Sequence, residues 1–207
     1  MGKVLIATNN RGKVRELAEI LVSLKDSLPL PADLGLILEV AETGQTYAEN
    51  ARLKAVAFAR ASGLASIGDD SGLEVDALAG APGLHSARYA GPGMTDADRR
   101  AKLIRELRDI HAPRPARFRC VLAVARPDGE VRVFEGACAG EVILEERGAN
   151  GFGYDPIFYL PEYQRTMAEL PQEVKNRISH RARAGQAALP FLTALLKLGD
   201  AQSSRRP

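Results

Sequence analysis

The chain has 207 residues, 45% of them hydrophobic and 26% charged, enough to bury a sizeable core and too apolar for wholesale disorder. Its 28 Lys and Arg stand against 26 Asp and Glu, and Arg205 and Arg206 of the terminal Ser-Ser-Arg-Arg-Pro account for the net charge of +2. A neutral body argues against a broad basic surface for long nucleic acid but leaves room for a small charged ligand.

In chain order, Lys3 to Thr8 reads as a buried strand and Arg11 to Lys25 as an amphipathic helix, with Val14, Leu17, Ile20 and Leu21 at helical spacing. Leu36 to Val40 is a second strand candidate. Tyr47 to Ser62 reads as a helix with Ala51, Ala55, Phe58 and Ala59 on one face and Gly63 as its stop. Ala65 to Gly68 is a short strand running into Asp69-Asp70-Ser71-Gly72, and Leu73 to Ala77 is another candidate. Thr95 caps a charged helix that continues to His111. Phe118 to Ala125 and Glu130 to Ala139 form a hairpin about Pro127-Asp128-Gly129, and Glu141 to Leu144 continues the sheet. Gly148 to Gly153 is a flexible loop. A last helix spans Ser179 to Leu198, and Pro190 within it predicts a kink or break. Strand–helix alternation followed by a hairpin implies an α/β fold with a mixed sheet, one domain over 1–207 in one or two lobes, and a flexible tail from about 200. A cleft between the lobes is the natural ligand site.

No stretch reaches the roughly 18 consecutive apolar residues of a membrane span. The N-terminus enters a strand directly, without the apolar run and cleavage site of a signal peptide. Cys120 and Cys138 are the only cysteines, and neither a Cys-x-x-Cys nor a His-x-x-x-His pair offers a zinc site. Two buried thiols suit a reducing cytosol, so a cytoplasmic protein without membrane association is expected.

Four segments carry polar residues that a core does not need. Thr8-Asn9-Asn10-Arg11-Gly12-Lys13 joins a strand to a helix start, where backbone N–H groups and a cationic Lys13 suit a phosphate; plain helix capping explains the same residues. Asp69 and Asp70, at the end of a buried strand, repel each other unless a cation or hydrogen bonds offset the charge, which points to Mg²⁺ on phosphates; a turn is the alternative. In Gly148-Ala149-Asn150-Gly151-Phe152-Gly153-Tyr154-Asp155, Phe152 suits stacking on a base and Asp155 suits a ring N–H, or the aromatics join the core. Val174 to Arg183 is basic: Lys175, His180 and Arg181 offer donors to a keto oxygen or phosphate, or form a solvated face.

Together these segments resemble the inosine triphosphate pyrophosphatase family. The likeness runs from Val4 to about Leu198 through Ala7 to Lys13, Thr46-Tyr47-Ala48-Glu49-Asn50-Ala51 and Asp69-Asp70-Ser71-Gly72-Leu73. It continues through Gly80 to Tyr89, Gly151 to Pro156 and Ile178-Ser179-His180-Arg181. The resemblance implies an elongated two-lobed α/β fold around a long mixed β-sheet with a central substrate cleft, and a homodimer. It implies Mg²⁺-dependent hydrolysis of ITP, dITP or XTP to the nucleoside monophosphate and pyrophosphate. Carried over, Thr8, Asn9, Asn10, Arg11, Gly12 and Lys13 bind the triphosphate; Asp70 is the metal-binding general base; Ser71 contacts substrate. Phe152, Gly153, Tyr154, Asp155 and Lys175 hold the nucleotide, while His180 and Arg181 read the base. Family members often place two acids before Thr-Gly, the first on the metal. This chain has Ala41-Glu42-Thr43-Gly44, so the missing carboxylate falls to Glu42, or to Glu49 and Asp69, with Glu42 preferred. Rival readings are a pyrophosphatase for other modified nucleotides, separated by base preference, and a nucleotide-binding module without turnover, against which the Asp69-Asp70 pair argues.

Overall fold

The computed structural model describes residues 2–203, with side chains as far as Lys197. The tail expected to be flexible lies outside these described side chains and, from residue 204, outside the described residues altogether. The fold is α/β, with one six-stranded mixed sheet whose strands lie side by side in chain order. Strand β1 (Val4–Ala7) pairs in parallel with β2 (Ala65–Val75), Val4 opposite Ala65 and Ala7 opposite Gly68. A parallel pair needs a long crossover, and α1 (Arg11–Ile20) and α2 (Tyr47–Ser62) lie in it. Helix α3 (Asp96–Leu107) precedes β3 (Pro115–Ala125), and a tight turn in which Arg126 N–H donates to Glu130 O leads to β4 (Val131–Val142). Strands β5 (Phe158–Leu160) and β6 (Arg165–Thr166) add on antiparallel. Helices α4 (Gln172–Ile178) and α5 (His180–Ser203) complete the chain.

Several elements differ from the expectation. The two short strands expected around Asp69-Asp70 are one continuous β2, which lies between β1 and β3 in the strand order. Leu36 to Val40 joins no strand. Leu36, Leu38 and Val40 pack on Leu5, Ala7 and Phe58 while Ile37 stays 98% exposed, so the alternation is real but has no ladder. Helix α1 stops at Ile20, and a 3₁₀ helix over Val22–Ser27 follows, where Ser23, Asp26 and Ser27 are weak α-formers. Helix α5 runs through Pro190 without a break. The short β5, β6 and α4 carry too few residues for a periodic signal.

The chain divides into two compact units. Of the described residues, one comprises 2–70, 120–136 and 181–203; the other comprises 71–119 and 137–180. The first has a core of Val4, Ile6, Leu17, Leu21, Ile67, Leu122, Val124 and Leu192. The second is built on Leu73, Leu103, Leu107, Phe118, Ile157, Phe158 and Met167. Among the described residues, no helix is long and apolar enough to cross a membrane.

Candidate active site

Successive side chains of a strand point to opposite faces of the sheet. Asp69 and Asp70 therefore make different direct contacts. Asp69, 1% exposed, accepts from Lys13 Nζ at 2.6 Å and from Arg181 Nε at 2.7 Å, with Cys120 Sγ at 3.4 Å. Burial opposes its charge, but Arg181 and Lys13 outweigh burial and hold the carboxyl well below the usual carboxylate range. Arg181 also pairs with Glu16 of α1, so one guanidinium ties two buried acids together. The Cys120 thiol is pushed up by burial and by the Asp69 charge, and stays protonated.

Asp70 behaves in the opposite way. Its Oδ1 lies 2.9 Å from Lys54 Nζ and its Oδ2 accepts from Asn50 Nδ2 at 3.4 Å. Burial, with repulsion from Glu42, raises its carboxyl above the usual range despite Lys54 and Lys13. Two adjacent carboxylates driven apart in this way are suited to different tasks, one a fixed charge and the other a proton acceptor. Helix α2 supplies both partners of Asp70 because it sits hard against β2: a Cβ on Gly68 would run into the Ala51 carbonyl and lie 2.7 Å from Ala55 N. Lys54 was not singled out from the sequence. Its signal was a lysine between Ala51 and Ala55, on the apolar face and one turn after Asn50.

Lys54 Nζ also lies 2.9 Å from Glu42 Oε1, so Glu42 and Asp70 converge on one cation. Burial disfavours the Lys54 charge, but Asp70, Glu42 and Asp69 more than compensate and raise its pKa. Glu49 caps α2 instead, accepting from Gln45 N–H at 2.6 Å and Thr46 N–H at 3.2 Å. The Asn50 side-chain oxygen takes Gly44 N–H at 2.8 Å, linking the Glu42 segment to the Asp70 partner. Among the described residues, no group of three or more His, Cys, Asp or Glu forms a metal cage.

At the start of α1, Asn10 is the N-cap, and its Oδ1 accepts from Gly12 N–H at 2.9 Å and Lys13 N–H at 3.1 Å. Thr8 Oγ1 accepts from Asn10 N–H, and Asn9 donates to Leu38 O. Asn9, Asn10 and Arg11 are exposed. The segment thus caps a helix and also delivers Lys13 to the acid pair.

In the second unit, Asp155 accepts from Phe152 N–H at 2.9 Å and pairs with Lys175, which α4 buries to 2% exposure. Lys175 Nζ lies 5.3 Å from the Phe152 ring centre. Gly151, at φ +76°, has no room for a side chain: a Cβ would strike the Asp155 carboxylate and come within 2.8 Å of Lys175 Nζ. Tyr154 turns inward and donates its hydroxyl to Ser86 O at 2.9 Å. His180 is buried, with its ring stacked on Phe118 at 4.7 Å and 12°. Ser71 follows Asp70 in β2 and is half-buried.

The residues singled out from the sequence thus fall into two groups. Thr8 to Lys13, Glu42, Asp70 and Arg181 belong to the first unit, with Asp69; Ser71, Phe152 to Asp155, Lys175 and His180 belong to the second. Of His180 and Arg181, expected to read the base, His180 stacks on Phe118 and the Arg181 guanidinium pairs with Asp69 and Glu16.

An α/β sheet carrying two buried carboxylates beside paired lysines has the make-up of a hydrolytic enzyme. The chain belongs to the Ham1 family, whose model matches residues 4–191. It is 48% identical over 194 residues to a dITP/XTP pyrophosphatase of Desulforamulus reducens, covering 93% of this chain and 96% of the relative. A dITP/XTP pyrophosphatase of Geobacillus kaustophilus is 52% identical over 185 residues, with 89% and 91% covered. Among solved structures, a HAM1 protein from Coxiella burnetii superposes with a TM-score of 0.83 at 40% identity, over 94% of this chain and all of that one. The Staphylococcus aureus Ham1 protein gives 0.82 at 42% identity, over 93% and 98%.

Proposed function

We propose that the protein hydrolyses non-standard purine nucleoside triphosphates, ITP, dITP and XTP, to the nucleoside monophosphate and pyrophosphate. The observation that carries this reading is the convergence of Glu42 and Asp70 on Lys54 beside the Lys13–Asp69 pair, with the relatives named dITP/XTP pyrophosphatase as its support. Asp70 accepts a proton from water as the water oxygen attacks the α-phosphorus. The bond from that phosphorus to the bridging oxygen breaks, and pyrophosphate leaves with the electron pair. Thr8 to Gly12 and Lys13 bind the triphosphate, and Lys13 and Lys54 balance the charge that builds on its oxygens. Phe152, Gly153, Asp155 and Lys175 form the nucleoside pocket, Tyr154 supports it from the core, and Ser71 contacts substrate. His180 offers a donor to the C6 keto oxygen of hypoxanthine or xanthine. Adenine presents an amino group there, and a buried donor left unsatisfied costs about 1–3 kcal/mol. Arg181 serves by fixing Asp69.

Mg²⁺ is the proposed cofactor. Glu42 and Asp70 fit it, since their oxygens already converge on one cationic centre, and Mg²⁺ is usually held by one or two carboxylates together with phosphate oxygens. When bound it supplies charge neutralisation at the phosphates. The same reading places the protein in the cytoplasm as a homodimer.

The test is a panel of ITP, XTP, dITP, ATP, GTP and dTTP with Mg²⁺. Pyrophosphate from the first three, with the others slow, is expected, and Asp70→Asn should lower kcat by about 10²–10⁴ while keeping the melting temperature near native. Equal rates on ATP, or a near-native Asp70→Asn, would contradict the reading.

A further inference from the structure

The loop at Gly151–Asp155 is gripped from outside by α3. Asp96 and Arg100 stand one turn apart on one face of that helix. Asp96 Oδ2 accepts from Gly153 N–H at 2.8 Å, and Arg100 NH1 donates to Gly153 O at 2.9 Å. These two bonds fix the peptide planes on both sides of Gly153, which sits at φ +61° with open space where a Cβ would be. Nothing in its own side chain restrains it, so the grip has to come from elsewhere.

Each gripping residue is itself braced. Asp96 Oδ1 pairs with Arg99 at 2.5 Å, and Arg99 donates to the carbonyls of Ala87 and Met94 at 2.8 Å each. Arg100 NH2 pairs with Glu146 at 2.9 Å. Partial burial opposes the Asp96 charge, but Arg99, the Gly153 N–H and Arg100 hold its carboxyl below the usual range. The helix does not need these bonds to start: Thr95 and Asp98 form its capping box, with Asp98 N–H donating to Thr95 Oγ1 and Thr95 N–H to Asp98 Oδ2.

We propose that Asp96 and Arg100 are positioning residues for the nucleoside loop, fixing Gly153 so that its neighbours Phe152 and Asp155 are preset to receive the purine. The inference rests on the reading of that loop as nucleoside-binding. A loop fixed in advance loses less conformational freedom when the ligand arrives, so the grip acts on affinity and leaves the proton acceptor untouched.

The test uses the full chain, with steady-state kinetics on ITP and Mg²⁺ and calorimetric titration of IMP in EDTA. Asp96→Ala and Arg100→Met should each raise KM about five- to twentyfold with kcat within about twofold, and weaken IMP binding in parallel. Asp96→Asn keeps an acceptor for Gly153 N–H and should recover most of the loss. Asp98→Ala removes the carboxylate half of the α3 capping box and touches neither bond to Gly153, so it should lower the melting temperature and leave KM unchanged. Native KM and IMP affinity in Asp96→Ala and Arg100→Met would overturn the proposal, as would an equal rise in Asp98→Ala. A native protein that binds IMP but releases no pyrophosphate from ITP overturns the activity alone, and the IMP titrations then decide the grip. A native protein that binds neither nucleotide overturns both.

Discussion

Asp70 owes its raised pKa to burial, and Lys54 is the strongest force pulling it back. Replacing Lys54 by Met removes the opposing charge, so the Asp70 carboxyl rises further and the acid limb of kcat/KM moves to higher pH. An acid limb unmoved in Lys54→Met would separate Asp70 from that limb. Of the carboxylates weighed from sequence to replace the one missing at Ala41, Glu49 caps α2 and Asp69 is held by Lys13 and Arg181. Glu42 and Asp70 both pair with Lys54 at 2.9 Å, which supports Glu42 as the second carboxylate of the proposed metal site.

At the scale of elements, the Asp70 surroundings depend on how closely α2 lies on β2. Gly68 sets that distance, because a Cβ there meets the backbone of Ala51 and Ala55. Gly68→Ala should cost about 1–3 kcal/mol in urea unfolding, as overpacking does, and should lower kcat by drawing Lys54 and Asn50 away from Asp70. Native stability and rate would mean that α2 yields without effect. The α2 helix was legible because the Ala51, Ala55, Phe58 and Ala59 face and the Gly63 stop stand together; the Thr46 cap emerges from the structure. The single β2 was not: Asp, Ser and Gly are turn formers locally, and the long-range pairing that places β2 in the sheet leaves no local signal. Lys175 and His180 stood out as a basic cluster, whereas the assignment of Arg181 to Asp69 and Glu16 joins residues 112 and 165 positions apart, beyond any local pattern.

Across the whole molecule, the near balance of 28 basic and 26 acidic residues is organised locally. Lys13, Lys54, Lys175 and Arg181 each face at least one buried or half-buried acid, so the charges of the candidate site are largely internal. Arg181→Met would leave Glu16 and Asp69 buried without that cation and should destabilise the fold by about 3–5 kcal/mol, read as a lower urea midpoint. Asp69 has a depressed pKa, so its contribution to stability is fully present above the unfolded value of about 3.9 and is lost as pH falls through the folded value. A mutant that keeps the native midpoint would show the pairing to be dispensable. The central claim is water attack on the α-phosphorus of a non-standard purine triphosphate. Turnover of ITP in ¹⁸O-labelled water, with products resolved by mass, tests it most directly. The account predicts label in IMP and none in pyrophosphate; label in pyrophosphate, or release of orthophosphate, would contradict it.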